Sequence, residues 1–215
     1  MRARLYGERK HVDNRSWLAP LTGILFIVLL FVGFALAGEP PNPGDDSAQE
    51  IVDFYVDNES KVIAGAISQA IAGAMFIFFG GYLFRTLRAS GAEATAVVAF
   101  AGTVVFAIGI AIDGTIHFAL ADTAKDLEPD AAQALSALFN TDFLPFSMGM
   151  LVFLMGFGVA IVRHGALPKW MGWGAIVISL TAISPAFFVA GIGGAILILV
   201  SSVMLAMRAR SPQTP

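Results

Sequence analysis

Residues 95–112 read TAVVAFAGTVVFAIGIAI, eighteen positions without a charge, and the next residue is Asp113. At 1.5 Å per residue, a helix of that length nearly spans the ~30 Å hydrocarbon core of a bilayer. In a soluble protein the same run would have to be buried on every side. The rest of the chain decides between the two. Of 215 residues, 57% are apolar and only 13% are charged, about half the charged share of an ordinary soluble domain. Mean hydropathy is +0.75. A water-soluble domain of this size cannot hide so much apolar surface, whereas a protein surrounded by lipid has no need to.

Working outward from 95–112, five further apolar runs can be read. The predicted spans are about 17–37, 62–84, 94–121, 143–162, 170–185 and 189–207. The expected fold class is therefore all-α, a polytopic membrane bundle of six transmembrane helices. A basic segment, 1–16, precedes a single transmembrane domain over 17–207, and 208–215 forms a tail. Ala35-Leu36-Ala37 resembles a signal-peptidase site. The apolar stretch before it is longer than the 7–15 residues of a signal peptide, so the first span is expected to be retained.

Two short amphipathic helices are predicted in the polar loops. Ser47 and Glu50 form a capping-box pattern ahead of Ile51, Phe54 and Tyr55, which gives a helix over 48–58. Pro129 suits a first helical position. Ala131, Leu135, Leu138 and Phe139 then give an apolar edge to a helix over 129–139.

Charge sets the expected orientation. Eleven of the 13 Lys and Arg residues fall in the N-terminal segment, the 85–92 loop, the 163–169 loop and the C-terminus, leaving Lys61 and Lys125 on the other side. Acidic residues run the opposite way, with 7 in 38–60 and 5 in 122–142. By the positive-inside rule both termini are cytoplasmic, N-in and C-in, with the short helices outside. Trp17, Trp170 and Trp173 sit at the inner boundary as interfacial anchors. The expected location is the plasma membrane, multi-pass. A weak internal repeat at an offset of 78 maps Glu50 on Glu128, Gly80 on Gly158 and Arg85 on Arg163. Each half reads span, outer amphipathic helix, span.

Gly165-Ala166-Leu167-Pro168-Lys169-Trp170-Met171-Gly172-Trp173 and the segment from Glu50 to Asn58 resemble a family of bacterial integral membrane proteins. That family is common in high-GC Gram-positive bacteria and is described as a domain of unknown function. The L-P-[KR]-W-x-G-W element after the fourth span carries most of the likeness. The resemblance implies a six-helix plasma-membrane protein and brings no catalytic residues with it.

With no Cys, the chain has no disulfides, Cys-ligated zinc or iron–sulfur clusters. Phosphate-loop, dinucleotide-binding, H-E-x-x-H and G-x-S-x-G motifs are absent, so no enzyme is expected. No Lys lies within a span, which excludes a retinal Schiff base, and His117 is the only His among the spans. No metal or cofactor is expected. The net charge of −3 does not suggest nucleic acid. The expected partners are the lipid bilayer and a membrane-protein partner or a second copy.

Five polar residues in the outer half are candidate ligand or ion contacts: Asp113, His117, Gln69, Ser147 and Asp142. A carboxylate costs roughly 2.5–3.5 kcal/mol at the bilayer centre and less toward the interface. Asp113 lies on the stripe Ala99, Gly102, Phe106, Gly109, Asp113, His117. Small residues mark helix contact, so the stripe is expected to face the bundle. Otherwise Asp113 is an idle interfacial charge. His117, one turn on, can pair with it as a proton-handling element or sit at the outer boundary. Gln69, on the stripe Gly65, Gln69, Gly73, Phe76, Gly80, falls at the same depth and either joins helices or walls a shared cavity. Asp142 precedes Phe143-Leu144-Pro145 and is expected to cap the fourth helix.

Two functional readings follow. The first is an accessory or scaffold subunit that binds partner helices through the Gly/Ala stripes. The alternative is a small-ligand or proton-linked binding or transport protein with an outward-facing cavity around Asp113. The charge count makes a prediction independent of both. A reporter fused after Pro215 reads cytoplasmic, and tags at Asp45 or Lys125 are reached from outside. An externally accessible C-terminus ends the six-span model.

Overall fold

The computed structural model describes residues 16–210, and among them every regular element is helical. The predicted basic segment 1–16, apart from Ser16, and positions 211–215 of the tail lie outside the described residues. A 3-10 turn over Ser16–Leu21 leads into α1 (Thr22–Ala37). Then come α2 (Ala48–Ala89), α3 (Glu93–Thr123), α4 (Pro129–Thr141), α5 (Phe143–His164), α6 (Lys169–Ser179) and α7 (Phe187–Arg210). Five stretches are long and apolar enough to cross a bilayer: Trp17–Ala37, Ala48–Ala89, Glu93–Thr123, Pro129–His164 and Phe187–Arg210. Large apolar side chains such as Phe31, Phe78, Val97 and Ile192 point outward from these helices. Water penalises such a surface and lipid does not. This is the apolar helical bundle of an integral membrane protein.

Three predicted elements differ in form. The helix over 48–58 is not a separate surface helix. It is the first quarter of α2, whose 42 residues run about 63 Å. The capping box is present: Ser47 Oγ accepts from the Glu50 amide at 3.3 Å, and the Glu50 carboxylate accepts from the Ser47 amide at 2.8 Å. Glu59-Ser60-Lys61 is polar, but no Gly or Pro interrupts it, so the helix runs on. In α4 the inward edge is Ala132, Leu135, Ser136 and Phe139, whereas Ala131 and Leu138 are exposed. Small residues allow α4 to lie close against α2 and α3.

The fifth predicted span, 170–185, is interrupted. α6 has 11 residues, about 16 Å of helix. Beyond Ser179 the chain makes turns in which amides bond carbonyls three residues back, as from Ala182 to Ser179 and from Phe187 to Ser184. Thr181 and Ser184 also turn their hydroxyls onto the carbonyls of Ile178 and Thr181. Pro185 has no amide to donate and restricts the residue before it.

The core of the bundle is aromatic. Phe26 stacks on Phe76 at 4.4 Å, and Phe106 and Phe153 meet Phe76 edge-on. A second cluster at the acidic end joins Ile51, Tyr55 and Val62 of α2 to Leu120 and Ala121 of α3 and Ala132 of α4.

The seam between α3 and α5 has a fixed antiparallel register. A side chain on Gly109 would strike the Phe146 amide at 2.5 Å, and one on Gly156 the Ala99 amide at 2.6 Å. Gly102 against Phe153 and Gly149 against Phe106 are closer still. In a bilayer, close backbone packing of this kind is what holds helices together. We predict that Gly102→Ala lowers the melting temperature of the purified protein, the overpacking costing roughly 1–3 kcal/mol. Gly81→Ala meets open space and is neutral or stabilising by up to about 1 kcal/mol. Equal melting of the two variants contradicts the seam.

Candidate functional site

A chamber of about 430 Å³ opens between α1, α2, α3, the α4–α5 junction and the start of α7. Its polar wall is built from Gln69, Asp113, Asn140, Asp142 and Ser147. Each is placed there by local features of the chain. Asp113 and Gln69 each lie twenty residues from the basic end of their antiparallel helices, Glu93 for α3 and Ala89 for α2. That is about 30 Å along each axis, so the two side chains share one level.

Asp142 is placed by a break. Proline in the third position of α5 has no amide, and its ring excludes the carbonyl four residues back. Pro145 therefore separates α4 from α5, and Asp142 stands between them with φ −82° and ψ 14°. The predicted cap is not made. Asp142 occupies the N-cap position of α5, but its side chain makes no capping hydrogen bond, because its backbone lacks the extended geometry a capping side chain needs. One carboxylate oxygen is buried without a partner.

The α3–α5 register then brings the acids together. Gly102 meets Phe153, Phe106 meets Gly149 and Gly109 meets Phe146. One turn further, this pairing sets Asp113 opposite Asp142, and both carboxyl side chains line the chamber. Neither makes an ion pair among the described residues.

Gln69 is 1% exposed, and neither its amide nitrogen nor its oxygen has a hydrogen-bond partner. Its stem passes Gly33 of α1, and its oxygen faces Gly114 of α3. The predicted shared cavity thus joins Gln69, Asp113, Ser147 and Asp142.

His117 takes a different place. It does not line the chamber, and no ion pair or hydrogen bond joins it to Asp113 among the described residues. Four residues along a helix turn a side chain about 40° past its starting direction. That rotation carries His117 toward α4 and α2, where its ring stacks on Phe139 at 3.8 Å and meets Tyr55 edge-on at 6.0 Å. Both ring nitrogens, the Tyr55 hydroxyl and the Ser136 hydroxyl are buried without partners.

The sequence reading did not single out two parts of the site. The first is its aromatic lining: Phe34, Phe106, Phe139, Phe143, Phe146, Phe187 and Phe188. The signal was present, since Phe139, Phe143, Phe146 and Met150 continue one helical stripe across the α4–α5 break. The second is the cover. Asn42 accepts from Asn140 at 3.5 Å, and the Pro43 carbonyl accepts from Gln133 at 3.0 Å. These bonds fasten the 38–47 loop to α4 beside the chamber mouth.

Chemically, the arrangement offers two carboxylates, an amide and a hydroxyl at one end of an apolar, aromatic space. The chain was also compared with known proteins. No curated protein and no solved structure matches it. A family model described as a domain of unknown function, DUF4386, matches residues 21–211. The match takes in every helix from α1 to α7 and all the residues that wall the chamber. The chain therefore belongs to the DUF4386 family of proteins.

Proposed function

We propose that this protein binds a small molecule in the chamber around Asp113, within a multi-pass bundle of the plasma membrane. The observation that carries the reading is convergence. Gln69, Asp113, Asp142 and Ser147, from different helices and a helix junction, wall one space of about 430 Å³. Small-molecule sites are typically about 300–1,000 Å³, mostly apolar, with a few convergent polar groups.

The break after α6 supports it. Irregular backbone inside a membrane bundle is tolerated where it is buried or lines a cavity. Ala182, in the middle of that break, is buried on the chamber wall.

The chain is proposed to cross the bilayer six times, with both termini on the cytoplasmic side. α6 and residues 180–186 make the fifth passage. Phe143 stacks on Phe187 at 5.7 Å, which sets the starts of α5 and α7 at one level. Arg208 of α7 donates to the Ala166 carbonyl at 2.6 Å, which ties their far ends together. Both contacts support a fifth passage through the chain between His164 and Phe187.

A scaffold role would rest on the small-residue stripes. Those stripes are filled from within the chain: Gly65 by Gly33 and Ala37, Gly73 by Ala107, and Gly80 by Thr103.

The test is a thermal-shift screen of amines, carboxylates and alcohols on purified wild type, Asp113→Asn and Asp113→Leu in parallel. A compound at a hundred times its Kd stabilises by about 2.7 kcal/mol, roughly 5–10 °C for a chain of this size. At least one compound class is expected to raise the wild-type melting temperature by that order and to lose the effect in both variants. If the three proteins rank every compound alike, the chamber is not the binding site.

A further inference from the structure

We infer that the chamber's occupant is a small organic cation, its ammonium held between Asp113 and Asp142 and its apolar body lying among the phenylalanines. The inference rests on the chamber reading above and adds the chemistry of the ligand.

Charge is the first argument. Asp113 is 9% exposed and shares the chamber wall with the Asp142 carboxylate, and among the described residues no Lys, Arg or His lines that wall. Two acids brought together away from water need a compensating positive charge or a shared proton. The basic residues at this end are held elsewhere. Lys125 bonds Glu59 at 2.5 Å and Lys61 bonds Asn58 at 3.4 Å, all on the outer surface.

Gln69 is an independent argument. It is almost wholly buried on the chamber wall, and both ends of its amide lack a partner in the protein. Such a group costs stability unless something else bonds it. Its side chain lies on that wall at the level of Asp113, and an ammonium N–H that reached its oxygen would satisfy it.

The remaining wall separates an organic cation from a metal ion. Hard cations are held by clusters of carboxylates, whereas no group of three or more His, Asp or Glu side chains comes together among the described residues, and the two acids here share their wall with aromatic rings. Phe106, Phe139, Phe143 and Phe146 flank the acids. Ring faces attract cations and accept apolar groups equally well. An anion or a neutral ligand would leave the carboxylates uncompensated.

The absence of native cysteine makes the test direct. Ser147→Cys puts a near-isosteric thiol on the wall beside the acids, and Ala182→Cys does so from the opposite side should the first variant fold poorly. The full-length protein is treated with methanethiosulfonates carrying a trimethylammonium, a sulfonate or only a methyl group. Each rate is normalised to that of a free thiol in solution. We expect the cationic reagent to exceed the anionic one by at least about tenfold, as a negative cleft focuses cations. The ratio should fall toward one in the Asp113→Asn, Asp142→Asn background. Each reagent transfers its thio group to the cysteine as a mixed disulfide, with methanesulfinate leaving; phenethylamine should slow that transfer from the methyl reagent, and 3-phenylpropionate should not. A thiol inert to all three reagents overturns the chamber reading itself. Equal cationic and anionic rates, or no protection by phenethylamine in a chamber that reacts, overturn the cation and leave the chamber standing.

Discussion

The antiparallel register of α3 and α5 governs the site. Gly102, Gly109, Gly149 and Gly156 let each backbone rest on the other over about three turns of helix. Ordinary helix pairs stand 8–10 Å apart because side chains intervene. Here the glycines remove that spacer, and lipid offers no hydrophobic drive to replace the contact. The register is therefore steric, with no freedom to slide. It fixes Phe106 and Phe146 at the chamber floor and Asp113 across from Asp142. Two acids are held at one level of the chamber by a packing constraint that acts one turn away from them.

Breaks in the helices create the space above that floor. The internal repeat is informative here. At an offset of 78, α2 corresponds to α4 and α5 together, and α3 packs on α2 and on α5 to the same extent. α2 is unbroken, whereas its counterpart is interrupted at Asp142, ahead of Pro145. The second interruption, after Ser179, brings Ala182 and the start of α7 against the same space. The chamber lies where two departures from regular helix meet, and both trace to prolines with Ser or Thr nearby.

Much of this was legible in the sequence. Long apolar runs and the capping box at Ser47 required only composition and local hydrogen bonding, and the structure places helices there. The depth match of Gln69 with Asp113 came from counting residues, and the chamber contains both. What was not legible depended on rotation and tertiary packing. His117 was close enough in sequence to pair with Asp113, but 40° of helical rotation and the ring of Phe139 place it elsewhere. The loop helix at 48–58 had a start signal and no stop signal, and without a breaker it merged with the span below. The fifth span carried its own warning in Thr181, Ser184 and Pro185, which hydropathy alone does not weigh.

The polar groups of the chamber bear on why such a site persists. Asp142, Gln69 and, behind Phe139, His117 and Tyr55 all keep buried polar atoms without partners. Replacing each with an apolar residue of similar volume would remove a desolvation penalty, since apolar substitutes for buried polar groups are often neutral or stabilising. The chain instead keeps its nearest cations outside. Lys125 is fixed to Glu59, whose hydrogen bond holds the ammonium above its ordinary value. A fold that had only to pack would have no reason to separate its positive charges from a buried acid and a half-buried one. Sequences depart from local self-consistency mainly at functional sites, and here the departures lie on the chamber wall and just behind Phe139. The missing interaction is a positive charge with hydrogen-bond donors, and the wall around it is suited to an apolar body.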